Sequence, residues 1–83
     1  MSLVALTPHL VRFQGQALDR MARAALSAAA VSVVERHPEP GWAGQRVHFI
    51  VSVDARDSQD AVRRVRGALG SHGSYSGFGA EQR

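Results

Sequence analysis

The stretch from Arg46 to Gly70, RVHFIVSVDARDSQDAVRRVRGALG, constrains the fold more than any other part of this chain. Five of the seven residues from Val47 to Val53 are Val, Ile or Phe, types that fit a pleated strand. Side chains alternate along a strand, so Val47, Phe49, Val51 and Val53 share one face, and His48, Ile50 and Ser52 take the other. One side is fully apolar and the other is mixed, which suits an antiparallel sheet covered on one face only. Asp54 to Asp57 reads as a turn. Asp57 or Ser58 is then a good N-cap, with Asp60 in the first helical turn. Ala61, Val62, Val65, Ala68 and Leu69 form one helical stripe. Arg63, Arg64 and Arg66 lie off it, and Asp60 precedes Arg64 by four residues in the favourable order. Gly70 is a natural C-cap.

The rest of the chain supplies partners for this unit. Leu10 to Gln14 is a candidate strand, with Val11 and Phe13 on one face and Arg12 on the other. Gly15 ends it. Gln16 to about Ala29 reads as a helix whose inner line is Leu18, Met21, Ala25 and Ala28, with Asp19 in its first turn. Ala30 to Arg36 fits either a continuation of that helix or a second strand. Val31, Val33 and Val34 favour the strand. Pro38, Pro40, Gly41 and Gly44 mark a loop. The tail SHGSYSGFGAEQR is either an edge strand or a flexible arm.

The expected order is therefore strand, helix, strand, strand, helix, strand. This is the α+β, ferredoxin-like plait (βαββαβ), an antiparallel sheet with two helices on one face. The whole chain, 1–83, reads as one small domain. Within it, 1–9 is expected as an N-terminal arm and 71–83 as an edge strand or flexible tail. Eighty-three residues make a modest core, which self-association would help to support.

Composition excludes several classes. There is no cysteine, which removes disulfide frameworks and thiolate metal sites. All ten basic residues are Arg and the net charge is +3, but acidic residues are interspersed, so the surface is mixed rather than uniformly basic. Met1 to Leu6 is too short for a signal segment. Asp19, Arg20 and Arg23 interrupt the apolar run from Leu18 to Val34, so no membrane span is expected and a cytoplasmic location is the default. His9, His37, His48 and His72 are far apart and none forms a pair at ligand spacing. Neither a metal nor another cofactor is expected. No P-loop, G-x-S-x-G or H-E-x-x-H is present, and no catalytic residue stands out.

Three families with this architecture bear comparison. Val11 to Gly15, VRFQG, resembles the start of the acylphosphatase phosphate loop. Arg20 then falls one residue late, and the chain has no Asn for the later strand. Arg46 to Val53 is similar to the third strand of the RNA-recognition motif at Arg46 and Val51, but it lacks that family's Gly and stacking aromatics. The dimeric α/β-barrel proteins share the plait and associate through their sheets. A mixed outward face at His48, Ile50 and Ser52 is compatible with that and also with a solvated sheet.

These readings give an expected function. The chain is expected to be a small non-enzymatic binding or assembly module, associating with itself or with a protein partner through its sheet face or an edge strand. The candidate surface is His48, Ile50 and Ser52, with Trp42 and Tyr75 as aromatic members. Trp42, the only Trp, either caps the core or anchors an interface. A small-ligand protein or enzyme of the α/β-barrel type is the second expectation. Nucleic-acid binding by Arg56, Arg63, Arg64 and Arg66 is the third.

Overall fold

The alternation in Val47 to Val53 becomes one of the two inner strands of a sheet. The computed structural model describes residues 5–38, 46–70 and 73–83. Along the chain these form β1 (Thr7–Gly15), α1 (Arg20–Ala28), β2 (Ser32–Pro38), β3 (Val47–Ala55), α2 (Ser58–Leu69) and β4 (Tyr75–Gln82). The four strands make one antiparallel sheet in the order β2-β3-β1-β4. Ala30 to Arg36 thus ends in a strand, and the tail is an edge strand rather than an arm.

The inner pair sets the core. His9, Val11 and Phe13 of β1 face Val53, Val51 and Phe49 of β3 across the register, and all six are buried. Phe13 stacks on Phe49 with centroids 5.1 Å apart and on Phe78 at 5.4 Å, and Tyr75 meets it edge-on at 5.6 Å. That aromatic group ties β4 to the inner strands. The Gly- and Ser-rich spacing of the tail hides this contribution. β1 also begins at Thr7, earlier than the expected Leu10. Pro8 and His9 therefore pair with β3 as part of the sheet.

Helix α2 closes this core. Ala61, Val65 and Leu69 are buried at four-residue spacing, with Val62 and Ala68 packed at the margin. Its N-cap is Asp57, whose side chain accepts from the Asp60 amide at 2.8 Å. Gly70 ends it at φ +50 with its amide on the Arg66 carbonyl at 2.8 Å. The helix packs on β1, β3 and β4, and on α1.

Helix α1 departs from its expected form. It starts at Arg20, and Asp19 is its N-cap rather than a first-turn residue, accepting from the Ala22 amide at 2.7 Å. The buried line is Leu18, Ala22 and Leu26, while Met21 is 62% exposed and Ala28 is exposed. A line one residue further round the helix buries Leu26, which removes more apolar surface from water than the Ala-rich line through Met21. The helix ends in a Schellman motif. Val31 donates to the Leu26 carbonyl at 2.9 Å and Ala30 to the Ser27 carbonyl at 3.0 Å, with Ala30 at φ +59. Leu26 and Val31 are both buried, the apolar contact that usually accompanies this cap.

Candidate functional site

β2 lies at one edge of the sheet and is hydrogen-bonded to β3. Each of its seven residues is exposed. Val33 pairs with Val51, and Arg36 with Phe49, so both lie on the core side of the sheet. The close packing of α2 nevertheless falls on the other three strands. Val33 and Val34 are left 46% and 48% exposed. The register shifts between Val33 and Glu35, which makes Val34 the extra residue of a bulge.

The sheet face away from the core carries the polar half of the alternation. Three rows cross it. Ser32, Ser52 and Leu10 form one, Glu35, Ile50 and Arg12 the next, and His37, His48 and Gln14 the third. Residues directly opposite on adjacent strands have Cβ atoms about 4.5–5.5 Å apart, so His37 and His48 are immediate neighbours. A shallow open concavity of about 490 Å³ runs between Arg12, Gln14, His37, His48 and Ile50, with Gly77 at its β4 side. Arg12 donates to Glu81 at 2.9 Å, and the two side chains are more than half exposed. His37 and Glu35 lie 3.2 Å apart. Among the described residues, no group of three His, Asp or Glu could hold a metal ion.

The residues singled out from sequence therefore separate. His48 and Ile50 line the concavity, and Ser52 is in the neighbouring row of the same face. Tyr75 lies on the other side of the sheet, against Phe13. Its hydroxyl is buried with no hydrogen-bond partner. Burial raises its pKa above the ordinary tyrosine range, and the charge of Asp19 acts in the same direction. Trp42 lies outside the described residues. Arg12, Gln14 and His37 join the face although sequence reading did not single them out. The signal for them was the cross-strand register, which a single chain does not display.

The four arginines of the second helix region meet a different environment. Asp60 is 4% exposed. It accepts from the Arg56 amide at 3.0 Å, from Arg63, and from Arg64 Nε at 2.9 Å, with Arg56 Nε at 3.6 Å. The Arg56 amide and the Arg63 guanidinium hold this carboxyl well below the usual carboxylate range, with Arg64 and the Arg56 side chain adding to them against the opposing effect of burial. Arg66 lies over the Phe78 ring, 5.5 Å from its centroid. Each of these guanidinium groups thus has an intramolecular partner, and Arg56, Arg63 and Arg64 converge on one carboxylate.

Among the described residues, no helix is long and apolar enough to cross a membrane. No protein-family model, no curated protein and no solved structure matches this chain.

Proposed function

We propose that this chain is a non-catalytic assembly module that binds by strand addition at the free edge of β2. The fold belongs to the same reading. The element order and the sheet order β2-β3-β1-β4 support a ferredoxin-like plait with both helices on one face. The observation that carries the function is β2 itself, an edge strand whose seven residues are all exposed and which includes two half-exposed valines. An edge strand presents unpaired N–H and C=O groups to any extended segment, and neighbouring apolar side chains add area to such a pairing. β4, the opposite edge, is different. Its Tyr75, Phe78 and Ala80 pack against the core, which leaves less apolar surface for a partner.

A Val34→Lys exchange tests this. The side chain is half exposed, so the melting temperature of the dilute protein is expected to stay within about 4 °C of the parent, since exposed substitutions usually change stability by less than ~0.5 kcal/mol. Association is expected to fall by tenfold or more, read by sedimentation of the purified chain and by recovery of co-purifying chains from its own cells. Unchanged association in both measurements overturns the proposal.

A second reading rests on the concavity beside His48. Its mix of one guanidinium, two imidazoles and one amide around Ile50 suits a small polar ligand. Amide chemical-shift changes confined to β1, β2 and β3 residues of that face, on titration with a panel of small polar compounds, would support it. Their absence would leave the strand-edge reading alone.

A further inference from the structure

We propose that the outer side of α2 binds the sugar-phosphate backbone of a single-stranded nucleic acid, in the groove flanked by Arg63 and Arg66. The groove has a volume of about 470 Å³ and is lined by Gln59, Val62, Arg63, Arg66 and Gly67. These positions recur at three- and four-residue spacing, so they form one stripe along the helix. From Gln59 to Gly67 the stripe runs about 12 Å lengthwise. It shares no residue with the β2 edge or with the concavity beside His48, and its test is independent of both.

Positive charge is concentrated here. Residues 56–70 hold four Arg and two Asp, and so carry two of the chain's three net positive charges. Arg56, Arg63 and Arg64 converge on the Asp60 carboxylate, which offsets one guanidinium of the three. Asp60 is 4% exposed, whereas the Arg63 side chain is 69% exposed. The negative charge is covered and the positive charges face water, so an anion arriving from solvent meets guanidinium groups first. The intramolecular partners also orient those groups. Asp60 holds Arg63 from one side, and Arg66 lies over the Phe78 ring. A guanidinium has five N–H donors, and the bond to Asp60 leaves most of those on Arg63 available. An arginine already held in place loses less side-chain freedom when it takes up a phosphate.

Gly67 is a separate observation that points the same way. After proline, glycine is the poorest helix former, yet Gly67 lies within α2. A Cβ at this position would meet no atom within 4 Å, so no packing among the described residues requires a glycine there. The missing side chain keeps the groove open beside Arg63 and Arg66. An open groove of this length suits a chain of phosphates better than a single one. A polyanion also gains from releasing its counterions. A second copy of this chain would bring the same positive charge to face itself. Nothing in the groove is aromatic, so bases are not stacked there, and the contact is weak and independent of sequence.

Fluorescence anisotropy of a labelled single strand of about twenty nucleotides, titrated with the purified chain at several salt concentrations, tests this. Contact by two to four arginines gives an expected log–log salt slope of about −1.4 to −2.8. Gly67→Glu puts a carboxylate in the groove without removing an arginine. Glu is a better helix former than Gly, so the urea midpoint is expected to hold or rise while affinity falls about tenfold or more. Gly67→Ala should raise the midpoint and keep affinity within about twofold. Met21→Glu makes the same change in charge at an exposed position of α1 and should weaken binding by no more than about threefold. Arg66→Gln should reduce the steepness of the slope by about 0.7.

A salt slope near zero, or equal losses for Gly67→Glu and Met21→Glu, would overturn the site. Polyglutamate competing as well as the unlabelled strand would refute a nucleic acid in favour of an acidic chain. Inorganic phosphate competing at micromolar concentration would refute the backbone in favour of a single phosphate. Should Gly67→Glu lower the urea midpoint, Arg66→Gln decides, and an unchanged slope for that variant refutes the proposal.

Discussion

Ala30 is the one non-glycine residue with a positive φ among the described residues, at +59, and replacing it with glycine should stabilise the protein. The left-handed conformation costs an L-residue about 1–2 kcal/mol, because its Cβ crowds the following carbonyl. Glycine removes that cost but enlarges the conformational freedom of the unfolded chain, which offsets about 0.4–1 kcal/mol. The side chain of Ala30 is exposed, so little packing is lost. The net expectation is a gain of about 0.5–1 kcal/mol, or roughly 2–8 °C in Tm for a domain of this size. Urea denaturation of Ala30→Gly should show a higher midpoint with an unchanged slope, the mark of a stability change without a change in the surface exposed. Ala28→Gly provides the control. It lies in the last helical turn, where glycine should cost about 0.5–1 kcal/mol. A lowered midpoint for Ala30→Gly would refute the cap geometry, and with it the explanation of where α1 stops.

Three further outcomes follow from buried groups. Asp60→Asn should lower the urea midpoint at neutral pH and flatten the acid limb. The carboxyl is held below its ordinary value of 3.8, so its contribution is complete above that pH and is lost as pH falls further, a difference read by denaturing parent and variant at several pH values. Tyr75→Phe should stabilise by about 1 kcal/mol, because it removes a buried hydroxyl that has no partner. In the parent, the only tyrosine should ionise above its ordinary 10.0 in an ultraviolet titration, with stability falling as pH rises past that value, since the unfolded chain loses its proton first. Leu26→Ala, at a position 1% exposed, should cost about 2–5 kcal/mol by thermal or urea denaturation.

The parts of the fold legible in sequence are those where pattern and punctuation coincide. α2 has an Asp cap, a clean stripe and a terminal glycine, and its bounds follow. β3 shows strict alternation, and its two faces follow. α1 lacks that punctuation at both ends. Its start is fixed by Asp19 acting as the cap, although Gln16 to Leu18 has the same composition as the helix. Its stop is an alanine in a conformation usually taken by glycine, so no residue type announces it. β4 is legible only as one of two alternatives, strand or arm, for a different reason. Its glycines and serines suggest flexibility, while Phe78 and Tyr75 hold it through contacts with Phe13, which lies more than sixty positions away. On the candidate surface, His48, Ile50 and Ser52 came from alternation alone. His37, Arg12 and Gln14 depend on register between distant strands, which no local pattern encodes. The same holds for the Asp60 cluster. Its i,i+4 pair with Arg64 is local and readable, whereas the burial that makes one carboxylate the acceptor for three arginines is not.

The stop at Ala30 also accounts for the exposed edge. The Ala run makes it possible to extend α1 through the valines toward His37, and that longer helix would leave no β2. The left-handed turn at Ala30 is the cost of the alternative. In return, Val31 reaches the core at 5% exposure, and the chain gains a ladder along β3. Ending the helix there has a geometric consequence. At nine residues α1 is about 14 Å long, whereas a seven-residue strand extends about 23 Å. A helix that short cannot cover the strand that follows it, even when aligned with it. The exposed valines of β2 are therefore a product of the same local event that creates the strand. A change that lengthens α1 should cover or abolish the edge and remove association with it. The bulge at Val34 then twists the edge, as bulges do in strands that must avoid indiscriminate pairing.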